Sequence, residues 1–154
     1  MRKFFLSFMY AGRGLWYCVR HERNFRIHLV AALYAMVLAW TFSLQKGEWA
    51  VLLAIIAIVI TAEATNTAIE RAVDLSTKNP HSMARIAKDA AAGAVLFCAV
   101  MAIAIGGILF YRPHDLAELG TRLWEAPWKM LLLALSAAIS LLFIFQGGAR
   151  HKTQ

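Results

Sequence analysis

Four long apolar runs divide the chain, and their lengths predict helices that cross a bilayer. The first covers residues 27–44 (IHLVAALYAMVLAWTFSL), and the third covers residues 90–110 inside a helix of about 86–110. Both approach the ~20 residues that a spanning helix needs. The second opens at Trp49 with WAVLLAIIAIVITA, fourteen residues without a charge. Fourteen is too short to cross, so the helix is expected to continue through EATNTAIERAVD to about residue 73. The fourth run, residues 130–145, borrows Trp128 and Gln146 to make a span of about 128–146. Ahead of the spans, Phe4, Phe8, Ala11 and Leu15 recur at helical spacing, flanked by Phe5, Met9 and Trp16. Residues 1–24 therefore read as an amphipathic helix in the membrane interface, with Gly12 and Gly14 as points where it loosens. The stretch 111–128 (YRPHDLAELGTRLWEAPW) holds two of the three prolines and reads as a loop dividing residues 1–111 from 112–154. The predicted fold class is an all-α integral membrane protein. It has an N-terminal interfacial amphipathic helix, three transmembrane helices and a fourth, C-terminal transmembrane helix.

Composition supports this. Of 154 residues 60% are hydrophobic and the mean hydropathy is +0.58, too apolar for an ordinary soluble domain. The net charge of +7 could suggest nucleic acid, but no basic run, zinc-finger spacing or aromatic-basic strand accompanies it, and no nucleic-acid partner is expected. The cations are distributed as topology would place them. Arg2, Lys3, Arg13, Arg20, Arg23, Arg26, Arg71, Lys78, Arg85, Lys88, Arg150 and Lys152 fall on one side of the membrane, and Lys46, Arg112, Arg122 and Lys129 on the other. Four spans with both termini cytoplasmic satisfy the positive-inside rule. Cys18 and Cys98 are far apart, give neither a disulfide framework nor a zinc motif, and read as small apolar residues. The N-terminus has no continuous apolar core of the kind a cleaved signal peptide carries.

Candidate chemistry sits where the second run turns polar. At 100° per residue, Glu63, Asn66, Glu70 and Asp74 fall within about 80° of one another, with Thr67 beside them. Counted from Trp49, Glu63 lies about 21 Å into the bilayer and Glu70 about 10 Å deeper, at the cytoplasmic edge. An ionisable group inside the hydrocarbon costs about 2.5–3.5 kcal/mol on insertion scales, so a stripe of them needs a reason. One reason is assembly, the polar groups bonding to neighbouring helices. Another is catalysis divided by depth. Burial favours the neutral form of a carboxyl and suits it to accept a proton near neutral pH. A carboxylate at the water edge suits Mg²⁺, which takes one or two protein carboxylates together with phosphates.

Further polar groups fall on the same side: Glu22 at the end of the amphipathic helix, and Lys88 and Asp89 at the start of the third span. Asp89 can serve simply as a first-turn acid and Lys88 as a snorkelling cation. Around Glu70, however, they would make a metal-phosphate site with Lys88 as counter-charge. Gly12-Arg13-Gly14 is no nucleotide fingerprint, no P-loop is present, and HERNFRIH lacks the i+4 histidine of a zinc protease. Residues 90–94, AAAGA, suit close helix packing.

Three blocks, ERNFRIH at residues 22–28, EATNTAIERAVD at 63–74 and HSMARIAKDAAAGAV at 81–95, resemble the bacterial diacylglycerol kinase and undecaprenol kinase family of small membrane lipid kinases. The resemblance covers residues 1–111, which would form the kinase domain, and leaves residues 112–154 outside it. It implies phosphoryl transfer from ATP, with Mg²⁺, to a membrane lipid alcohol. It also implies a homotrimer in the bacterial inner membrane with active sites shared between subunits. Carried over residue by residue, Glu63 would be the general base, with Asn66 as polar support. Glu22 and Glu70 would bind Mg²⁺, and Lys88 and Asp89 the nucleotide. Tyr10, Lys3, Asn79 and His81 would add ATP contacts, although Pro80 stands where the family often has an aromatic. The wording of the first and third blocks, and His28, lean towards undecaprenol over diacylglycerol. A proton- or ion-coupled transporter and a passive scaffold are the readings from other classes. The first would need polar groups on several spans, and the second leaves the acids unexplained.

Overall fold

Helices form where the apolar runs predict them, and the described residues hold six. The computed structural model describes residues 2–76 and 81–146, with side chains from Phe4 onward. In chain order they are α1 (Arg2–His21), α2 (Arg23–Thr41), α3 (Lys46–Ser76), α4 (Ser82–Phe110), α5 (Pro113–Trp124) and α6 (Pro127–Phe145). Helices α2, α3, α4 and α6 are each long and apolar enough to cross a membrane. Helix α1 is strongly two-sided, and its exposed Phe4, Phe5, Phe8 and Trp16 suit the interface. It runs unbroken through Gly12 and Gly14, where the sequence suggested loosening.

The interfacial helix ends at His21 rather than residue 24, and the first spanning helix begins at Arg23 rather than residue 27, because Glu22 is extended and breaks the helix between them. Two further places differ from the expectation. The first span ends at Thr41 rather than Leu44, because Phe42 to Leu44 form a helix C-cap. Ser43 N–H donates to Trp40 O and Leu44 N–H to Ala39 O, both at 3.1 Å, the paired bonds of a Schellman cap. Leu44 then folds back onto Ala39, joining Phe42, Leu52 and Leu109 in a buried apolar cluster. The cap requires a left-handed residue, and it falls to Ser43 at φ 51°. A side chain there costs about 1–2 kcal/mol, so Ser43→Gly is expected to stabilise the protein by about 1 kcal/mol in detergent unfolding. An unchanged or lowered midpoint would show that the turn carries no strain.

The second difference concerns the connection read as a loop. Residues Pro113–Trp124 are a helix. Pro113 occupies the first helical turn, where a missing N–H costs nothing, and Leu116, Leu119 and Leu123 repeat at i, i+3 and i+7. Arg112, immediately before it, pairs with Glu48 at the start of α3 and lies 3.7 Å from Asp115. Glu48 also accepts the Gln45 N–H at 2.8 Å, which closes the N-terminus of α3.

Helices α3 and α4, with 31 and 29 residues, are about 46 and 43 Å long. A hydrocarbon core of about 30 Å cannot cover them, so they project several turns beyond it. At the end opposite the cluster, these turns carry Glu70, Asp74 and Lys88. Helix α6 lies antiparallel on α2. The Tyr34 hydroxyl is 2.9 Å from Ser136 Oγ and 3.3 Å from Ser140 Oγ, while Arg26 donates to the Ile144 carbonyl at 2.9 and 3.1 Å.

Candidate active site

The buried residues of α3 form one ladder: Leu52, Ile55, Val59, Glu63 and Thr67. Its first three rungs are apolar, and the next is a carboxylate only 3% exposed. Glu63 thus occupies a core position in the helical repeat, and its depth follows from the pattern that buries the leucine and isoleucine before it. Thr67 donates to the Glu63 carbonyl at 3.1 Å, which satisfies its hydroxyl within the helix. Cys18 of α1 closes this side and contacts Thr67. Burial pushes its thiol above the usual cysteine range, so it stays protonated and acts as the small apolar residue the sequence suggested.

One turn further, the Asn66 amide donates to Glu70 Oε1 at 3.1 Å. The other amide atom, Asn66 Oδ1, is buried and has no hydrogen-bond partner among the described residues. Glu22 arrives from a different element. It occupies the extended residue between α1 and α2, and its carboxylate accepts Arg71 Nη2 at 2.9 Å. The Arg71 guanidinium also lies over the Tyr17 ring, 5.5 Å from its centre. Glu22 and Glu70 are both within electrostatic reach of Glu63. The fold therefore gathers Glu22, Glu63, Asn66 and Glu70, residues drawn from two separate sequence blocks.

The remaining candidates lie around this group. Lys88 reaches Asp74 at 3.0 Å, one helical turn beyond Glu70. Asp89 is exposed on the first turns of α4. His81 caps that helix, its Nδ1 accepting the Met83 N–H at 3.2 Å. Tyr10 is on the exposed side of α1 with the Arg13 guanidinium 5.4 Å from its ring. Among the described residues no hydrogen bond or ion pair ties Tyr10 to the acids. The Lys3 side chain and Asn79 lie outside the described residues. Arg71 is the member that the sequence did not single out: it counted as a topological cation, and its partner is 49 positions away.

The donor set fits Mg²⁺. Glu22 and Glu70 supply hard carboxylate oxygens, and Asn66 Oδ1 is a buried acceptor with its bonding capacity unused. Among the described residues no three His, Cys, Asp or Glu side chains form a closed metal cage. Mg²⁺ does not require one when phosphates and water complete its shell.

On the apolar side, a cavity of about 340 Å³ opens between α2, α3 and α4. Ile27, His28, Ala31, Val59, Ile60 and Ala102 are among its walls. Glu63 itself is not one of the lining residues, but Val59 and Ile60, one turn before it on α3, are.

The family model of the prokaryotic diacylglycerol kinases matches residues 9–110, taking in all three sequence blocks. The chain belongs to the prokaryotic diacylglycerol kinase family. Undecaprenol kinase of Bacillus subtilis is 43% identical over 110 residues, 71% of this chain and 89% of the relative. Diacylglycerol kinase of Synechocystis is 40% identical over 109 residues, 70% and 62% of the two chains. Diacylglycerol kinase of Helicobacter pylori is 30% identical over 134 residues, 87% and 88%. That last match is long enough that it must run past residue 110 into the C-terminal part. No solved structure matches the chain significantly. Membership in the prokaryotic diacylglycerol kinase family makes this a multi-pass membrane lipid kinase with ATP as phosphoryl donor, and sets aside the transporter and the scaffold.

Proposed function

We propose that this kinase phosphorylates undecaprenol, with Glu63 as the general base on the lipid hydroxyl. The observation that carries the reading is a carboxylate 3% exposed on α3, one turn past the Val59 and Ile60 that line an apolar cavity, with Glu22 and Glu70 close enough to act on it. A hydrocarbon chain lying along the cavity brings its terminal hydroxyl to Glu63. The carboxylate takes the hydroxyl proton as the alcohol oxygen attacks the γ-phosphorus. The bond from that phosphorus to the bridging oxygen breaks, and ADP leaves with the electron pair.

Glu22, Glu70 and Asn66 Oδ1 would hold Mg²⁺, which when bound neutralises phosphate charge. Asn66 orients Glu70 through its amide, and Arg71 holds Glu22 until the cation engages it. Lys88 exchanges Asp74 for phosphate oxygens, and Asp89, His81, Asn79, Tyr10 and Lys3 contact the nucleotide. Residues 1–111 form the kinase domain, and three copies make a homotrimer with shared sites. The protein lies in the bacterial inner membrane with both termini cytoplasmic, an arrangement that the distribution of Lys and Arg supports.

Undecaprenol is favoured by the 43% identity to the Bacillus enzyme and by residues 22–28. The names of the Synechocystis and Helicobacter relatives favour diacylglycerol as the second reading. Purified protein in mixed micelles, given γ-labelled ATP and each lipid separately, is expected to label undecaprenol faster. Faster labelling of diacylglycerol would reverse the assignment.

A further inference from the structure

The family match stops at residue 110, yet α6 is bonded into the fold at the corner that supports Glu22. On α2, Arg23, Arg26 and Tyr34 fall within about 80° of one another, and all three meet α6. Tyr34 faces the Ser136 and Ser140 hydroxyls, and the Arg23 guanidinium lies 5.8 Å from the centre of the Phe145 ring. Arg26 is the decisive residue. It is 2% exposed, and among the described residues no carboxylate pairs with it. A buried guanidinium is tolerated only when its donors are satisfied. Here Nη1 donates to the carbonyls of Val19 at 3.0 Å and Arg20 at 3.2 Å. Nε and Nη2 both donate to the Ile144 carbonyl.

Those acceptors lie in the last turns of α1 and α6, the ends that carry unpaired carbonyls and negative dipole charge. One cation thus caps two helices at once. Glu22 adjoins the same arrangement, since it follows α1 directly and its carbonyl accepts the Arg26 backbone N–H at 3.4 Å. Without α6 the guanidinium would lose the acceptor of two of its donors. The corner would then have to admit water to solvate them, loosening the residue between the two helices.

We infer that α6 is a positioning element for the metal-binding end of the active site, acting through Arg26 on the α1–α2 corner that presents Glu22. The inference rests on the reading that Glu22 holds Mg²⁺. Arg26 touches no substrate and is a positioning residue.

The test is steady-state kinetics of the full chain in micelles, varying Mg²⁺, ATP and lipid independently. Arg26→Ala is expected to raise the Mg²⁺ half-saturation and the KM for ATP about tenfold, the scale of one charge-assisted hydrogen bond. The KM for lipid should stay within about twofold, because the apolar cavity does not include the corner. Arg26→Lys should fall between, since an ammonium cannot serve both helix ends in the fork geometry. A second variant leaves Arg26 intact and detaches α6 elsewhere: Ser136→Ala with Ser140→Ala and Tyr34→Phe. It should move the Mg²⁺ curve in the same direction by less, and its effect should not add to that of Arg26→Ala. This second variant carries the test if Arg26→Ala does not fold. A purely structural role would lower the amount of active enzyme and leave the Mg²⁺ curve in place, which overturns the inference. Glu22→Ala separates the two levels. If it shifts the Mg²⁺ curve and neither α6-directed variant does, the inference fails and the site stands. If Glu22→Ala itself leaves the curve unchanged, the metal role of Glu22 fails.

Discussion

Glu63→Gln is expected to lower kcat by about two to four orders of magnitude, the range that a positioned general base contributes. The amide has the shape of the acid and can occupy the same core rung between Val59 and Thr67. What it cannot do is accept the lipid proton. The substitution also removes a carboxyl from an apolar setting with Glu22 and Glu70 nearby, so the protein should be at least as stable as the parent. Loss of phosphoryl transfer with an unchanged unfolding midpoint and unchanged assembly size therefore assigns the defect to chemistry. Full turnover by the variant would remove Glu63 from the role of base. Turnover lost together with the fold would point instead to helix packing as the reason for the stripe.

Replacing Glu70 should be nearly as damaging, by a different route. Glu70→Ala takes away one of two candidate metal carboxylates and leaves the Asn66 amide without its acceptor. Activity at millimolar Mg²⁺ is expected to fall by about two orders of magnitude or more, partly recoverable at higher Mg²⁺. Glu70→Gln distinguishes the two losses. Its amide oxygen can still accept from Asn66 but carries no charge for a cation. If the two variants behave alike, charge at Glu70 matters; if Gln restores activity, the residue mainly fixes Asn66. An Mg²⁺ titration superimposable on that of the parent would show that Glu70 binds no metal.

These residues could be found in the sequence because a helix imposes its period on whatever it carries. Glu63, Asn66, Glu70 and Asp74 share a face whatever their neighbours do, and a fourteen-residue apolar run must be extended through them to span a bilayer. Glu22 and Lys88 became candidates by lying on the same side, but their partners were hidden. Arg71 reaches Glu22 across 49 positions, and Lys88 selects Asp74, which the stripe contained without a role. Neither pairing has a period to betray it. Helix α5 is concealed by its composition: two prolines in residues 111–128 suggest a loop, although Pro113 stands at a helix start and the leucines behind it keep helical spacing. Arg26 was the least visible. It looked like one more interfacial cation, and its acceptors are main-chain carbonyls, which every residue possesses and no side chain announces.

That last residue also sets an order of events in time. Chains emerge from the ribosome N-terminus first, so Arg26 enters the membrane with the first span while Ile144 is still to be translated. Until the final helix inserts, a guanidinium near the start of the protein has carbonyls from only one of its two helices. The corner beside Glu22 is thus begun first and completed last, and an interrupted chain that already contains every catalytic candidate still lacks the second helix end that Arg26 caps.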